Sequence, residues 1–290
     1  MPYVDLSDVS LHYQQIVSDD DAAHAEPVTL VHGLASNLAF WFMGAAPLLA
    51  VQHDVTLYDL RGHGKSSMPE EGYGPAAMAE DLLHLLDALD IDATHLLAHS
   101  YGGEVAIHFT HRYPERVKSL ILADVHLSEM KKRQALGSWN MWPLFKEKLA
   151  SLGIEMDEED TDFGYRLLEV MARVQVEHPL RAKAVFAGIS PFVNRGGRRM
   201  AKRWLELLEN DRARQEIFAH DGIDKAMLQA IDVPCLAIYG ARSQALVSGR
   251  VIANNMPYAQ FETIPEAGHF FPLSRPKLLA KSCYRFWNTL

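Results

Sequence analysis

Cysteine is nearly absent: Cys235 and Cys283 are the only two in 290 residues. Two thiols so far apart make neither a disulfide framework nor a thiolate metal site, and they suit a reducing compartment. Concentrated positive charge is missing too. The formal net charge is −9, so nucleic acid is not an expected partner, because phosphate binding needs a dense basic surface. No uninterrupted apolar run approaches the roughly 18–20 residues that cross a bilayer, so no membrane span is expected. The opening Met1-Pro2-Tyr3-Val4-Asp5 lacks the basic-then-apolar pattern of a secretory leader, and the expectation is a cytoplasmic protein. Repeats and low-complexity tracts are also lacking. So are a G-x-G-x-x-G after a strand and histidines grouped with carboxylates at metal-ligand spacing; neither a cofactor nor a metal is expected.

Apolar residues make up 48% of the chain, enough for a sizeable core. Residues 9–17 alternate apolar and polar, the period of a half-exposed strand. Short apolar runs at 28–31, 55–58, 95–98, 120–125 and 235–239 have the character of buried parallel strands, with 260–264 a weaker last one. Helical patterns lie between them at 78–89, 102–113, 247–255 and 276–287. Strands alternating with such helices imply an α/β fold, a mostly parallel sheet flanked by helices. From 127 to 221 the rhythm stops and only helical patterns remain, separated by Gly and Pro. The expected organisation is a core of 1–126 and 222–290 with a helical cap at 127–221.

Chemistry concentrates at strand ends. Ala98-His99-Ser100-Tyr101-Gly102-Gly103 follows an apolar run and opens a helix, the setting of a nucleophile elbow. Such a turn holds its central residue at strained angles, lifts the hydroxyl above the sheet and aims free helix amides at the same point. His32-Gly33-Leu34 ends the 28–31 strand, where a glycine lets the backbone approach a ligand. The amides of Leu34 and Tyr101 are the candidate donors to a developing oxyanion. Asp59-Leu60-Arg61-Gly62-His63-Gly64-Lys65-Ser66 reads as a hydrogen-bonded supporting loop. His269, one of fourteen histidines, stands out by its place in a loop after the last strand, where the order Ser…Asp…His puts the base.

The segments HGLASN, YDLRGHGKS, AHSYGG and EAGHF, in that order and spacing, resemble the capped α/β-hydrolase family over nearly the whole chain apart from the cap. The resemblance implies Ser100 as nucleophile, His269 as base, and Leu34 and Tyr101 as backbone oxyanion donors. Members usually carry the acid after the strand equivalent to 235–239, but that loop reads Gly240-Ala241-Arg242-Ser243-Gln244, with Gln244 about where the acid belongs. A subset of the family takes the acid from the preceding strand, which implies Asp124; the alternative is that Asp124 caps the first helix of the insertion.

The expected activity is a serine esterase or thioesterase acting on a small-molecule substrate, with no organic cofactor. Carbon–carbon bond hydrolysis and cofactor-free dioxygenation remain alternatives on the same residues, and a ligand-binding receptor is the alternative of another class. Haloalkane dehalogenation is disfavoured because the elbow carries Ser rather than Asp. In the cap, Trp139, Trp142 and Phe145 either line an apolar acyl pocket or form the cap's own core. Arg198, Arg199 and Arg203 either meet an anionic substrate group or form an exposed helix face.

Overall fold

Runs that are apolar on both faces become the interior of the sheet. Strands β5 (Thr94–His99) and β7 (Cys235–Gly240) are buried at every position. That is the signature of a parallel strand covered by helices on both sides. They sit in an eight-stranded sheet with β1 (Tyr3–Asp5), β2 (Ser10–Ile16), β3 (Glu26–Val31), β4 (His53–Tyr58), β6 (Val117–Ala123) and β8 (Ala259–Ile264). The order is β1-β2-β4-β3-β5-β6-β7-β8. β1 and β2 pair antiparallel, as do β2 and β4, while β3 to β8 run parallel. β8 is exposed at three of its six positions. It closes one edge of the sheet, which is why its apolar pattern is faint.

The computed structural model describes residues 2–18, 25–127, 135–138, 142–160, 163–187, 190–193 and 196–290. Helices expected at 78–89, 102–113, 247–255 and 276–287 occupy Pro75–Ala88, Tyr101–Arg112, Leu246–Asn255 and Pro276–Trp287. Pro75 and Pro276 open theirs, because a ring-fixed φ suits the first turn and the missing N–H has no intrahelical partner there. The last helix buries Leu279, Ala280, Cys283, Phe286 and Trp287, a stripe at i, i+1, i+4, i+7 and i+8. That stripe packs with Val28, Leu30, Leu57 and Ile238 of the sheet and with Trp41 and Phe271 into one core.

The chain divides into two compact units, Met1–Met130 with Asp211–Leu290, and Lys131–Asn210. The second lies in sequence after β6 and contains the helices Trp142–Ala150, Phe163–Glu177, Pro179–Phe186 and Gly197–Glu209. It is shorter than the 127–221 insertion read from sequence. The helix Asp211–Phe218 belongs with the larger unit, where the Glu216 carboxylate accepts the amides of Gly72 (2.7 Å) and Tyr73 (2.6 Å). Among the described residues, no helix is long and apolar enough to cross a membrane.

Candidate active site

β5 ends at His99, and the next residue turns the chain into a helix. Ser100 has φ 55° and ψ −127°, a conformation L-residues rarely adopt. Such strain costs on the order of 1–3 kcal/mol and persists only where the surroundings enforce it. Gly102 is part of that enforcement. A Cβ there would stand 2.5 Å from the carbonyl oxygen of His32, so the helix can meet β3 this closely only without a side chain. A Cβ on Gly33 would likewise stand 2.9 Å from Cβ of Ser100. The Gly33–Leu34 turn therefore abuts the serine on one side, and Tyr101 follows it directly on the other.

Three elements bring the polar side chains together. His269 Nε2 lies 3.1 Å from Ser100 Oγ, and His269 Nδ1 lies 3.0 Å from Asp124 Oδ1. A carboxylate accepts only, so Nδ1 carries the ring proton and Nε2 is left to accept from the serine hydroxyl. Asp124 directly follows β6, also at positive φ (55°), and its side chain is fully buried. Its Oδ2 accepts the amide of Gly240 at 2.7 Å, and its Oδ1 accepts the hydroxyl of Ser243 as well as His269. The carboxylate thus faces the β7 loop and the histidine rather than capping a helix of the insertion. Gln244 makes no such contact, and its buried Nε2 has no partner among the described residues.

A second layer holds these groups in place. His99 donates from Nε2 to the carbonyl oxygen of His269 at 2.9 Å and stacks on Phe40, ring centroids 4.7 Å apart. Burial, followed by the nearby His269, keeps its imidazole well below the ordinary range, so His99 is neutral. His32 donates from Nδ1 to the Gly33 carbonyl (2.8 Å) and accepts the Leu60 amide at Nε2 (3.1 Å), which fixes the turn ahead of Leu34. Asp59 accepts the amides of Leu38 (2.7 Å) and Lys65 (2.9 Å) and the ring of His12 (2.8 Å). Arg61 grips Asp81 through Nε (2.7 Å) and Nη2 (2.6 Å). The segment from Asp59 to Ser66 is tightly hydrogen-bonded, as its composition suggested.

Sequence reasoning missed three contributors: His99, Gly240 and Ser243. His99 adjoins the elbow, and its position alone could have flagged it. The other two act through contacts between strand ends that are far apart in sequence and left no pattern. In the insertion, Trp142, Phe145 and Leu149 are buried at i, i+3 and i+7 of one helix, the spacing of a packed face. Trp139 lies outside the described residues. Arg198 and Arg199 are exposed, and Arg203 pairs with Glu206. Among the described residues, no group of three or more His, Cys, Asp or Glu side chains is arranged to hold a metal ion.

A family model for the alpha/beta hydrolase fold matches residues 26–276. The chain belongs to that family. Its relatives include an uncharacterized protein of Mycobacterium tuberculosis, 38% identical over 101 residues, 35% of this chain and 29% of that one. A fluoroacetate dehalogenase of a Burkholderia species is 34% identical over 127 residues, 42% of this chain and 40% of the relative. The matches therefore span well under two thirds of these curated relatives. Among solved structures, a thermophilic esterase from Thermogutta terrifontis aligns with a TM-score of 0.68 at 21% identity. That match covers 100% of this chain and 99% of the other. Likeness at that identity speaks for the fold alone, and this α/β hydrolase has to be read further from its own site.

Proposed function

We propose that this α/β hydrolase cleaves a carboxylic ester or thioester of a small to medium, largely apolar substrate through an acyl-enzyme on Ser100. The observation that carries the reading is the unbroken line of hydrogen bonds from Ser100 Oγ through His269 to the sealed carboxylate of Asp124. Each member has the neighbour its role requires. His269 Nε2 takes the hydroxyl proton as Ser100 Oγ attacks the carbonyl carbon. The tetrahedral oxyanion rests on the amides of Leu34 and Tyr101, commonly the largest single contribution to such catalysis. Collapse expels the leaving group, which receives the proton from His269. Water then attacks the acyl carbon, giving its proton to His269, and the freed Ser100 oxygen recovers that proton. Asp124 holds the ring in the required tautomer and offsets the charge on the imidazolium.

The likeness to a fluoroacetate dehalogenase does not alter this reading, because the elbow presents a hydroxyl that must be deprotonated as it attacks. Intact-protein mass after incubation with a fluorophosphonate tests the proposal. One adduct on the natural chain, absent from Ser100→Ala, is the expected result, together with steady turnover of p-nitrophenyl acetate. An unlabelled natural chain without turnover would overturn it and favour a ligand-binding role. Oxygen uptake with no ester turnover would instead favour an oxygenase.

A further inference from the structure

We propose that Ser243 is a positioning residue for the acid of the site: its hydroxyl and the Gly240 amide form a clamp that aims the Asp124 carboxylate at His269. This rests on the reading of Ser100, His269 and Asp124 as acyl-transfer machinery. A fully buried carboxylate needs donors on both oxygens. Gly240 N–H supplies one to Oδ2, and His269 Nδ1–H and the Ser243 hydroxyl share Oδ1. The hydroxyl is itself oriented. Its oxygen accepts the Ala245 amide at 3.1 Å, which leaves its single proton for Asp124.

The loop is anchored on its other side to the segment that carries the base. Ala241 N–H donates to Ile264 O (3.0 Å) and Arg242 N–H to Ala267 O (2.9 Å), while Ser243 N–H closes a turn onto Gly240 O (2.9 Å). A Cβ on Gly240 would stand 2.5 Å from Ala267 O, so the two segments are in direct contact. Four consecutive residues, beginning with the last of β7, thereby set the acid and the base relative to each other. In a fold whose acid sits after β6, this loop keeps a share in the chemistry without supplying the carboxylate.

The clamp has an electronic consequence. A donor on Oδ1 draws off part of the negative charge that would otherwise fall on the histidine. Removing it strengthens the carboxylate's hold on the imidazolium and loosens the aim of the carboxylate. The test is the second-order rate constant for labelling by a fluorophosphonate, measured from pH 5 to 9 on the natural chain, Ser243→Ala, Ser243→Thr and Ser100→Ala. Ser243→Ala is expected to lose ~10- to 100-fold, the range for a hydrogen bond to a charged group. Its acid limb should move to higher pH, and Ser243→Thr should restore both rate and limb. Natural rates and limb in Ser243→Ala overturn the proposal. So does a loss that leaves the limb in place and is not rescued by threonine, since that is the mark of loop packing alone. If the natural chain is not labelled, the acyl-enzyme reading fails instead. The ring-nitrogen NMR shift of His269 then still decides for Ser243, and an unchanged shift in Ser243→Ala overturns the clamp.

Discussion

At each end of β5, a serine, a histidine and a carboxylate are joined by hydrogen bonds. Beyond its carboxyl end, Ser100 meets His269 Nε2 at 3.1 Å and His269 Nδ1 meets Asp124 at 3.0 Å. Toward its amino end, Ser119 of β6 meets His95 Nδ1 at 2.7 Å and His95 Nε2 meets Glu26 of β3 at 2.9 Å. The order serine, histidine, carboxylate is the same, but the two ring nitrogens exchange partners and the burial is reversed. Asp124 is fully buried and Ser100 is partly exposed, whereas Ser119 is fully buried and the Glu26 side chain is 51% exposed. Ser119 also accepts the indole N–H of Trp287 at 3.1 Å and lies in an ordinary strand, while Ser100 sits at φ 55°. One end seals the charge and presents the hydroxyl. The other seals the hydroxyl and leaves the charge in water, tying β3, β5, β6 and the last helix together. Outward orientation and a strained backbone set Ser100 apart from Ser119 and fit the role proposed for it.

Matched substitutions sharpen that contrast. Ser100→Ala should abolish fluorophosphonate labelling and reduce ester turnover by about 10⁴-fold or more. Ser119→Ala should leave turnover within about twofold, yet lower the unfolding free energy by about 1–3 kcal/mol, because it strands Trp287 Nε1 and His95 Nδ1. Turnover kinetics and urea denaturation on the two variants check this, and comparable turnover losses in both would break the comparison. Next in size, Asp124→Asn should cut turnover by about 10⁴-fold with the fold intact, since an amide no longer enforces the tautomer. Glu26→Gln should leave turnover unaffected, because a half-exposed carboxylate at the other end of the sheet touches no reacting atom.

The two ends also differ in how far they could be read ahead of the structure. β7 is apolar at nearly every position and announces itself, and β5 shows a Leu96-Leu97-Ala98 run between polar residues. β1 has three residues, too few to show a period, and went unseen. Ser100 and His269 were legible because an elbow and a late strand-end loop restrict which residue types can work there. Asp124 was legible through the resemblance, since a subset of the family takes its acid from the strand before 235–239. Ser243 was not, since a loop serine carries no pattern and its partner lies 119 positions away. The Ser119–His95–Glu26 chain depends on the register that sets His95 opposite Ser119, which no single strand reveals. Trp142, Phe145 and Leu149 show the opposite limit: a helical stripe predicts burial but not what the buried face serves.

Smaller effects come from pH. His53 and His95 at the amino end, like His32 and His99 near the site, have imidazoles lowered chiefly by burial. Below the ordinary imidazole value of about 6.5 the unfolded chain takes up protons that the native chain refuses. Stability is therefore full above that pH and falls as the solution is acidified through it. The Glu26 carboxyl, held at about 2 first by the hydrogen bond from His95 and then by Lys118, adds a second, exposed contribution that is lost further down. Melting temperature should decline from pH 7 to 5, with a shallower slope in His95→Gln, and an equal slope would remove His95 from the account.

The smallest effect concerns Glu104, one turn along the helix from Ser100 and, like Asp124, buried. Asp124 sits among three donors, but Glu104 lies near the negative charge of Asp221. Burial first and that charge second raise its carboxyl well above the ordinary range. The native chain then holds a proton that the unfolded chain has released, so stability declines as pH rises above the ordinary carboxyl value. Glu104→Gln keeps the shape and removes the titration. It should raise the melting temperature by a few degrees at pH 8 and by less at pH 5, with turnover retained. A variant equally stabilised at both pH values would show that packing, rather than a trapped proton, sets Glu104 apart from Asp124.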